Sequence, residues 1–164
     1  MYNKYLIVKQ SKQSNNGVFT SIKIPKGVPI LEVKGDLYVE HELPDPNHPA
    51  LIQVGPNTFL GPSGDVDDYV NHSCNPNCRL EIVGNRAFLY SMYEIQPDSE
   101  ITFDYSTSST DTVDTWKMDC KCGYYNCRKL ISGIQYVPDS IIADYKQKGM
   151  MPAFLAYPHF FQKR

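Results

Sequence analysis

Residues 71–78 read NHSCNPNC, a stretch that places a side-chain amide, an imidazole and a thiol at Asn71, His72 and Cys74. Asn, Ser and Pro are turn-forming residues, and a histidine in a turn can be no more than a hydrogen-bonded polar group. A turn alone does not need an amide, an imidazole and a metal-binding thiol within four positions. We therefore interpret this stretch as a candidate functional segment.

The five cysteines of the chain all lie after residue 73. An odd number of cysteines argues against a disulfide framework, and clustering favours a structural zinc ion bound by several thiolates. Cys120, Cys122 and Cys127 form a C-x-C-x4-C motif, which needs a fourth ligand to complete a tetrahedron. Cys74 and Cys78 are the two candidates. The alternative, that all five are small buried apolar residues, does not explain their clustering.

The third stretch is EITFDY at residues 100–105, a short apolar strand that ends in a phenol. It follows Pro97-Asp98-Ser99, which is a turn sequence. Further short apolar segments, separated by glycine and proline, predict strands over 5–9, 18–22, 29–33, 37–40, 51–54, 58–60, 79–83 and 86–91. The one clear helix pattern is 141–148, with Asp139 or Ser140 as the cap and Gly149 at the end. The sequence thus predicts a mainly β fold of several small sheets.

Composition limits the functional class. The chain has 164 residues, 16 basic and 18 acidic side chains, and no apolar stretch of the roughly 20 residues that a membrane-spanning helix needs. A single domain fits this length. The slight negative charge argues against a nucleic-acid-binding module. We expect an intracellular, soluble protein of the cytoplasm or nucleus, without a signal peptide and without membrane contact. His41 and His48 are interpreted as loop residues rather than metal ligands.

Taken together and in this order, the motifs resemble the SET-domain family of protein lysine methyltransferases. The resembling segments are Gly17-Val18-Phe19, Ile24-Pro25-Lys26-Gly27, NHSCNPNC, EITFDY, and C-x-C-x4-C, which is similar to the post-SET zinc segment. The resemblance implies a fold of small β-sheets with a knot-like core. It also implies transfer of a methyl group from S-adenosylmethionine to a lysine of a protein substrate, histone or other.

The resemblance also assigns roles to single residues. Tyr105 would be the catalytic tyrosine, and Phe103 would line the lysine channel at the position that influences methylation degree, which favours di- or trimethylation. The zinc ion would be held by Cys74, Cys120, Cys122 and Cys127, with Cys78 left out. The residues implied in donor binding are Gly17, Val18, Phe19, Asn71, His72, Tyr105 and Leu130, of which Leu130 would cover the adenine.

The resemblance divides the chain into a SET domain over 1–115, a post-SET zinc segment over 116–132 and a C-terminal extension over 133–164. The extension would contain the short helix and an aromatic tail that packs on the body, with a partner-docking role as the alternative. The Ser- and Thr-rich stretch 106–115 is interpreted as a flexible connection. The sequence leaves dimerisation open.

Five positions depart from the family pattern. The family usually has glycine at the positions of Asn15, Asp98 and Lys129. Asp68 stands where the family often has arginine, and Val33 stands where tyrosine is common. These departures motivate the alternative hypothesis of a catalytically inactive SET-like domain that binds a peptide or partner. None of them removes Asn71 or Tyr105.

Overall fold

The computed structural model describes residues 1–110 and 116–156, and most of the regular structure there is short strands in five small sheets. The strands are β1 (Leu6–Gln10), β2 (Asn16–Thr20), β3 (Pro29–Val33), β4 (Leu37–Val39), β5 (Ile52–Gly55), β6 (Thr58–Leu60), β7 (Asn71–His72), β8 (Cys78–Val83), β9 (Arg86–Ser91), β10 (Thr102–Phe103), β11 (Lys117–Asp119) and β12 (Leu130–Ser132). Two sheets have three strands, in the orders β3-β9-β8 and β4-β6-β5, and three sheets are pairs. The prediction of a mainly β fold is confirmed.

The β8–β9 hairpin illustrates how sequence determines these strands. Gly84 has a φ of 61° and occupies the first position of the two-residue connection, as a type II′ hairpin turn requires. The turn sets the register in which Leu80 lies opposite Leu89. Both side chains are almost fully buried, so the central sheet contributes directly to the main hydrophobic core.

The parallel pair β7–β10 brings two of the sequence motifs together. Asn71 pairs with Thr102 and His72 with Phe103, so the NHSC and EITFDY segments lie side by side. The side chain of Asn77 joins them further, because it donates to the backbone oxygen of Glu100 at 2.7 Å and accepts the backbone N–H of Thr102 at 2.9 Å. A two-residue strand has no periodicity, so the sequence did not predict β7.

The helix α1 (Asp139–Gln147) lies close to its predicted position, but its start differs. Pro138 is the N-cap, and no side chain caps the helix, so the expected cap at Asp139 or Ser140 was wrong. Proline fits this end because the first helical N–H groups have no intrahelical partner. Gly149 ends the helix with a φ of 64°, and Met150 N–H bonds to the carbonyl of Tyr145, the Schellman pattern.

The described part of the Ser- and Thr-rich stretch is ordered and buried, contrary to the expected flexible connection. Tyr105–Ser108 forms a 3-10 helix, and the side chain of Asp104 caps it by accepting Ser106 N–H. Thr110 donates both its N–H and its hydroxyl to the Gln53 side chain, at 2.8 and 2.7 Å. Buried hydroxyls of this kind persist because they are hydrogen-bonded. Residues 111–115 lie outside the described part of the chain.

A second, smaller core surrounds α1 and contains Tyr145 and Phe154. Burial of Phe154 agrees with a C-terminal extension that packs on the body, although Tyr157, Phe160 and Phe161 lie outside the described residues. None of the helices described is long and apolar enough to cross a membrane.

Candidate active site

Four cysteines converge although they are distant in sequence. The sulfurs of Cys74, Cys120, Cys122 and Cys127 all lie within 4.8 Å of one another, and those of Cys74 and Cys120 are 3.6 Å apart. Zinc–sulfur bonds of about 2.3 Å in a tetrahedron place the sulfurs roughly 3.8 Å apart, so the spacing fits zinc. Cys78 is elsewhere: it begins β8, is fully buried in the main core and contacts Asn77.

Backbone N–H groups around the cluster favour thiolates, although burial raises the pKa of the Cys74 and Cys120 thiols. Backbone N–H groups of Arg128 and Lys129 point at the sulfurs of Cys74 and Cys127, both at 3.4 Å. Burial raises the pKa of the Cys122 thiol, but backbone N–H groups of Cys74 and Tyr124 and the neighbouring thiols outweigh burial and lower the pKa to about 7. Four sulfur ligands would leave no open coordination position, which is typical of a structural zinc site.

A polar cluster forms where the loop before β2 meets β7. The Asn71 side chain donates to the Glu100 carboxylate at 2.6 Å and to the backbone oxygen of Asn16 at 2.8 Å. The other oxygen of Glu100 accepts the hydroxyl of Ser11 at 3.0 Å. Gly17 lies directly against this cluster, and a Cβ there would sit 2.2 Å from Glu100 Oε1. A larger residue at position 17 would therefore displace the Glu100 and Asn71 side chains from this cluster.

His72 links this cluster to the cysteines. Its Nδ1 accepts the backbone N–H of Tyr105 at 3.2 Å, which assigns the ring proton to Nε2, 3.3 Å from the sulfur of Cys74. Burial lowers the pKa of His72 to about 4, against the opposing effect of the Asp104 carboxylate. The imidazole is neutral at neutral pH, and both of its nitrogens already have partners in the protein.

Tyr105 lies at the end of the EITFDY segment. Its hydroxyl donates to the backbone oxygen of Val70 at 2.8 Å, and its ring lies 5.0 Å from Phe103 and 6.4 Å from Trp116, measured between centroids. Burial, together with the nearby charge of Glu100, raises the pKa of Tyr105. The phenol therefore stays protonated and can act only as a neutral hydrogen-bonding group at physiological pH.

Two cavities meet at Tyr105. The first is an open cleft of about 400 Å³, lined by Gln13, Ser14, Asn15, Asn71, His72, Tyr105, Met118, Asp119, Lys121 and Ile131. The second is a narrow, mostly apolar channel of about 60 Å³, lined by Leu43, Pro46, Asn47, His48, Pro49, Leu51, Ile52, Phe59, Phe103, Tyr105, Ser108, Ser109, Thr110 and Trp116. Tyr105 is the residue that both linings share. Polar residues predominate in the cleft lining, although it also contains Met118 and Ile131, whereas the channel lining is rich in aromatic rings, so the two suit different ligands.

Not every sequence-predicted donor residue lines the cleft. The side chain of Val18 is fully buried in the main core, and neither Gly17 nor Phe19 is among the lining residues; the preceding loop, from Gln13 to Asn15, lines the cleft instead. Leu130 is 46% exposed, whereas its neighbour Ile131 faces the cleft. The sequence analysis missed Trp116 and the 43–51 wall of the channel. The one tryptophan of the chain, just before the cysteine motif, was the available signal for Trp116.

The comparisons with known proteins agree with this geometry. The family model of the SET domain matches residues 15–106, more than half of the chain. The chain therefore belongs to the SET-domain family.

Relatives and solved structures extend the comparison. Histone-lysine N-methyltransferase ash1 of Drosophila melanogaster is 32% identical over 131 residues, 71% of this chain. Histone-lysine N-methyltransferase 2D of Homo sapiens is 40% identical over 71 residues, 41% of this chain. The chain spans 6% and 1% of the length of these two relatives.

Among solved structures, KRYPTONITE in complex with mCHG DNA and SAH has a TM-score of 0.64 and 25% identity, over 76% of this chain and 28% of that one. KRYPTONITE in complex with mCHH DNA, H3(1-15) peptide and SAH has a TM-score of 0.63 and 23% identity, over 77% of this chain and 29% of that one. Both show the SET-domain fold.

Proposed function

We propose that this chain transfers a methyl group from S-adenosylmethionine to the side-chain amine of a protein lysine, with histones as the first substrate class to test. The observation that carries the proposal is the position of Tyr105, which lines both the polar cleft and the aromatic channel. A donor in the cleft and a lysine in the channel would meet at this residue. The names of the relatives and the SAH in the KRYPTONITE complexes support the same chemistry.

Methyl transfer needs a neutral amine. Free lysine has a pKa of about 10.4, so about one molecule in a thousand is neutral near pH 7.4, a penalty of about 4 kcal/mol. An apolar channel strips water from the ammonium, and the adjacent sulfonium of the donor repels its charge. Both effects lower the lysine pKa and favour the neutral form.

The carboxylates near the site do not act as a general base in this proposal. Glu94 is exposed, Glu100 is bonded to Asn71 and Ser11, and Asp104 is paired with Arg128. The imidazole of His48 does line the channel, but its Nδ1 already accepts the backbone N–H of Ala50 at 3.2 Å. The lysine proton would instead leave through water.

The protein contributes alignment. Nitrogen, methyl carbon and sulfur must lie nearly in line, and holding reactants in such a geometry can contribute several kcal/mol, roughly 7–11 at the upper end. The protonated phenol of Tyr105, fixed by Val70 and by the rings of Phe103 and Trp116, is placed to orient the amine and the methyl group. Tyr105 is the proposed catalytic residue.

Phe103 supports di- or trimethylation as the product. Its ring is buried beside Tyr105 and lacks a hydroxyl that would hold a water molecule in the channel. A methylated amine needs this space, because each added methyl group replaces a hydrogen. The absence of a hydroxyl on Phe103 thus supports the proposal that the channel accepts an amine that has already been methylated.

A zinc ion would be held by Cys74, Cys120, Cys122 and Cys127, and its contribution would be structural. Met118, Asp119 and Lys121, which line the cleft, belong to the same segment as three of these ligands. The cysteine cluster thus anchors one wall of the donor site. Asn71, held by Glu100, lines the cleft as well, and Leu130 or Ile131 would lie near the adenine.

Radiolabelled S-adenosylmethionine, incubated with the protein and with core histones, tests the proposal. We expect label in a histone band, lysine as the modified residue by mass spectrometry, and no incorporation by a Tyr105→Phe variant. Binding of the donor and of histone peptides without transfer would support the rival function of an inactive binding module. Absence of donor binding would contradict the proposed function.

A further inference from the structure

Asp104, the residue directly before Tyr105, carries a fully buried carboxylate. The guanidinium of Arg128 bonds both of its oxygens, at 2.5 and 2.7 Å. The backbone N–H of Ser106 donates to Oδ1 at 3.0 Å, and the hydroxyl of Tyr145 donates to Oδ2. A buried charge persists only when it is paired and hydrogen-bonded, and Asp104 meets this condition fully.

These partners come from three different parts of the chain. Arg128 follows the last cysteine of the C-x-C-x4-C motif, and Tyr145 belongs to α1. The Tyr145 hydroxyl also accepts a bond from Arg128 at 2.8 Å, so it contacts both members of the ion pair. Arg128 and Tyr145 lie beyond residues 15–106, which the SET family model matches.

The Asp104 carboxylate also lies beside His72, close to the proposed catalytic residue Tyr105. Its Oδ1 lies 3.5 Å from Nδ1 of His72, the atom that accepts the backbone N–H of Tyr105. Rotation of the carboxylate would change the contacts of His72 and of the 3-10 helix that begins at Tyr105. Arg128 bonds both oxygens of the carboxylate, and the Tyr145 hydroxyl adds a further bond at Oδ2. Loss of that hydroxyl therefore loosens the orientation of the carboxylate without releasing it.

We propose that Tyr145 is a positioning residue for catalysis: its hydroxyl helps to fix the orientation of the Asp104 carboxylate, and the carboxylate in turn fixes the start of the 3-10 helix at Tyr105 by accepting Ser106 N–H. The inference rests on the proposed function, because it assumes that Tyr105 acts in methyl transfer. The C-terminal helix then belongs to the catalytic unit and is more than a packing element.

The geometry explains why a hydroxyl is required here. The ring of Tyr145 packs in the second core with Ile142 and Phe154, and a phenylalanine would preserve that packing. Only the hydroxyl reaches the ion pair. The effect of Tyr145→Phe is therefore specific to the orientation of Asp104, whereas Ile142→Ala would weaken the attachment of the helix without removing a bond to the carboxylate.

Tyr145→Phe in the full chain is the test, with Tyr136→Phe as the matched control because Tyr136 is 49% exposed in the same extension. We expect kcat to fall roughly tenfold, since small misplacements of reacting groups slow catalysis strongly. KM for the donor should change less than kcat does, since most of the cleft lining has no contact with the Asp104 carboxylate. Tyr136→Phe should behave as the wild type.

Hydrogen exchange at the Tyr105 amide gives a readout that does not need activity. We expect faster exchange of the Tyr105 and Ser106 amides in Tyr145→Phe, and unchanged exchange in Tyr136→Phe. If wild-type protein transfers no methyl group, the proposed function fails, but amide exchange still decides the positioning role. Unchanged kcat and unchanged amide exchange in Tyr145→Phe would overturn the inference. It would also be overturned if Ile142→Ala lowered kcat as much as Tyr145→Phe does at an equal loss of stability.

Discussion

The Nε2 atom of His72 lies 3.3 Å from the sulfur of Cys74, so the candidate zinc site and the candidate donor cleft are in direct contact. His72 lines the cleft, and Cys74 is one of the four clustered cysteines. A hydrogen bond from a neighbouring side chain to a metal ligand orients that ligand. Loss of such a bond typically weakens metal binding or activity. Disruption of the cysteine cluster should therefore weaken both zinc binding and donor binding.

Removal of zinc tests this coupling. Chelation, or Cys122→Ser, should lower the affinity for S-adenosylmethionine, because cleft-lining residues such as Asp119 and Lys121 flank the clustered cysteines. The main core contains none of the four clustered cysteines, so most of the β fold should remain. Zinc content by elemental analysis and donor affinity by calorimetry are the measurements. Cys78→Ala, outside the cluster, is the control and should keep its zinc.

Tyr105→Phe should keep the fold and the affinity for the donor but lose most turnover, by roughly 100-fold or more, because the polar group at the reacting centre is removed. The aromatic contacts with Phe103 and Trp116 need only the ring and survive. Single-turnover kinetics and calorimetry separate the two effects. Turnover near that of the wild type would exclude a catalytic role for the Tyr105 hydroxyl.

Phe103→Tyr should shift the product toward monomethyl-lysine. The added hydroxyl would occupy the channel or hold a water molecule there, which leaves less room for a methylated amine. Mass spectrometry of a reacted peptide gives the distribution of methylation states. A mutation in a more distant channel wall, Phe59→Tyr, is the matched control and should leave that distribution unchanged. Wild-type protein that forms only monomethyl product would contradict the proposal.

Two family departures create backbone strain. Asp98 and Lys129, which stand where the family usually has glycine, have φ values of 61° and 66° and are the non-glycine residues of the described chain with positive φ. The left-handed conformation costs a residue with a Cβ about 1 kcal/mol or more, and aspartate tolerates it better than lysine.

Lys129→Gly should therefore stabilise the protein by about 0.5–1 kcal/mol. Lys129→Ala is the control, since alanine keeps the Cβ and should bring no such gain. Asp98→Gly should gain less, because it also removes an exposed ion pair with Lys9. Denaturant unfolding measures all three. A gain in Lys129→Ala equal to that in Lys129→Gly would show that backbone strain is not the cause.

Asp67 gives a prediction for pH dependence. Burial raises the pKa of its carboxyl, although the N–H of Lys34 and the hydroxyl of Ser63 bond it and partly oppose the shift. A carboxyl with a raised folded pKa binds protons more readily in the folded state. Its charge thus disfavours folding at neutral pH, and this cost disappears as the pH falls through the raised pKa.

Asp67→Asn should accordingly be more stable than the wild type at pH 7.5, by less than about 1 kcal/mol because solvent screens part of the charge. The difference should shrink as the pH falls toward the raised pKa of Asp67. Asp65→Asn is the matched control: hydrogen bonds from Val66 N–H and Lys34 lower the pKa of Asp65, so its removal should reduce stability at pH 7.5. Thermal unfolding of each variant against wild type at each pH gives the sign.

Local patterns predicted much of the fold. The strands from β3 to β9, except the short β7, lie within one or two residues of the apolar segments between glycines and prolines. The domain boundaries at 115 and 132 stay a prediction. Of the site, the cysteine motif alone left Cys74 and Cys78 open as the fourth ligand. The structure separates them because Cys78 points into the core from β8, whereas Cys74 precedes that strand.

Pairings between distant residues had no local pattern. Asp104 and Arg128 are 24 positions apart, and no periodicity or motif predicts that a helix hydroxyl joins them. Trp116 and the 43–51 loop line the channel because the tertiary fold brings distant segments together. Short-range sequence patterns do not predict such contacts. Sequence reasoning thus identified the motifs, while the contacts that join them required the structure.

Because the cleft and the channel have separate linings, donor exchange and substrate release can be independent steps. Since only Tyr105 belongs to both, under the proposed function spent nucleoside could depart and fresh donor could arrive on one side while the polypeptide stays threaded on the other. Repeated rounds on one lysine would then need no re-docking of the protein substrate, so the more highly modified forms would accumulate before the unmodified substrate is exhausted.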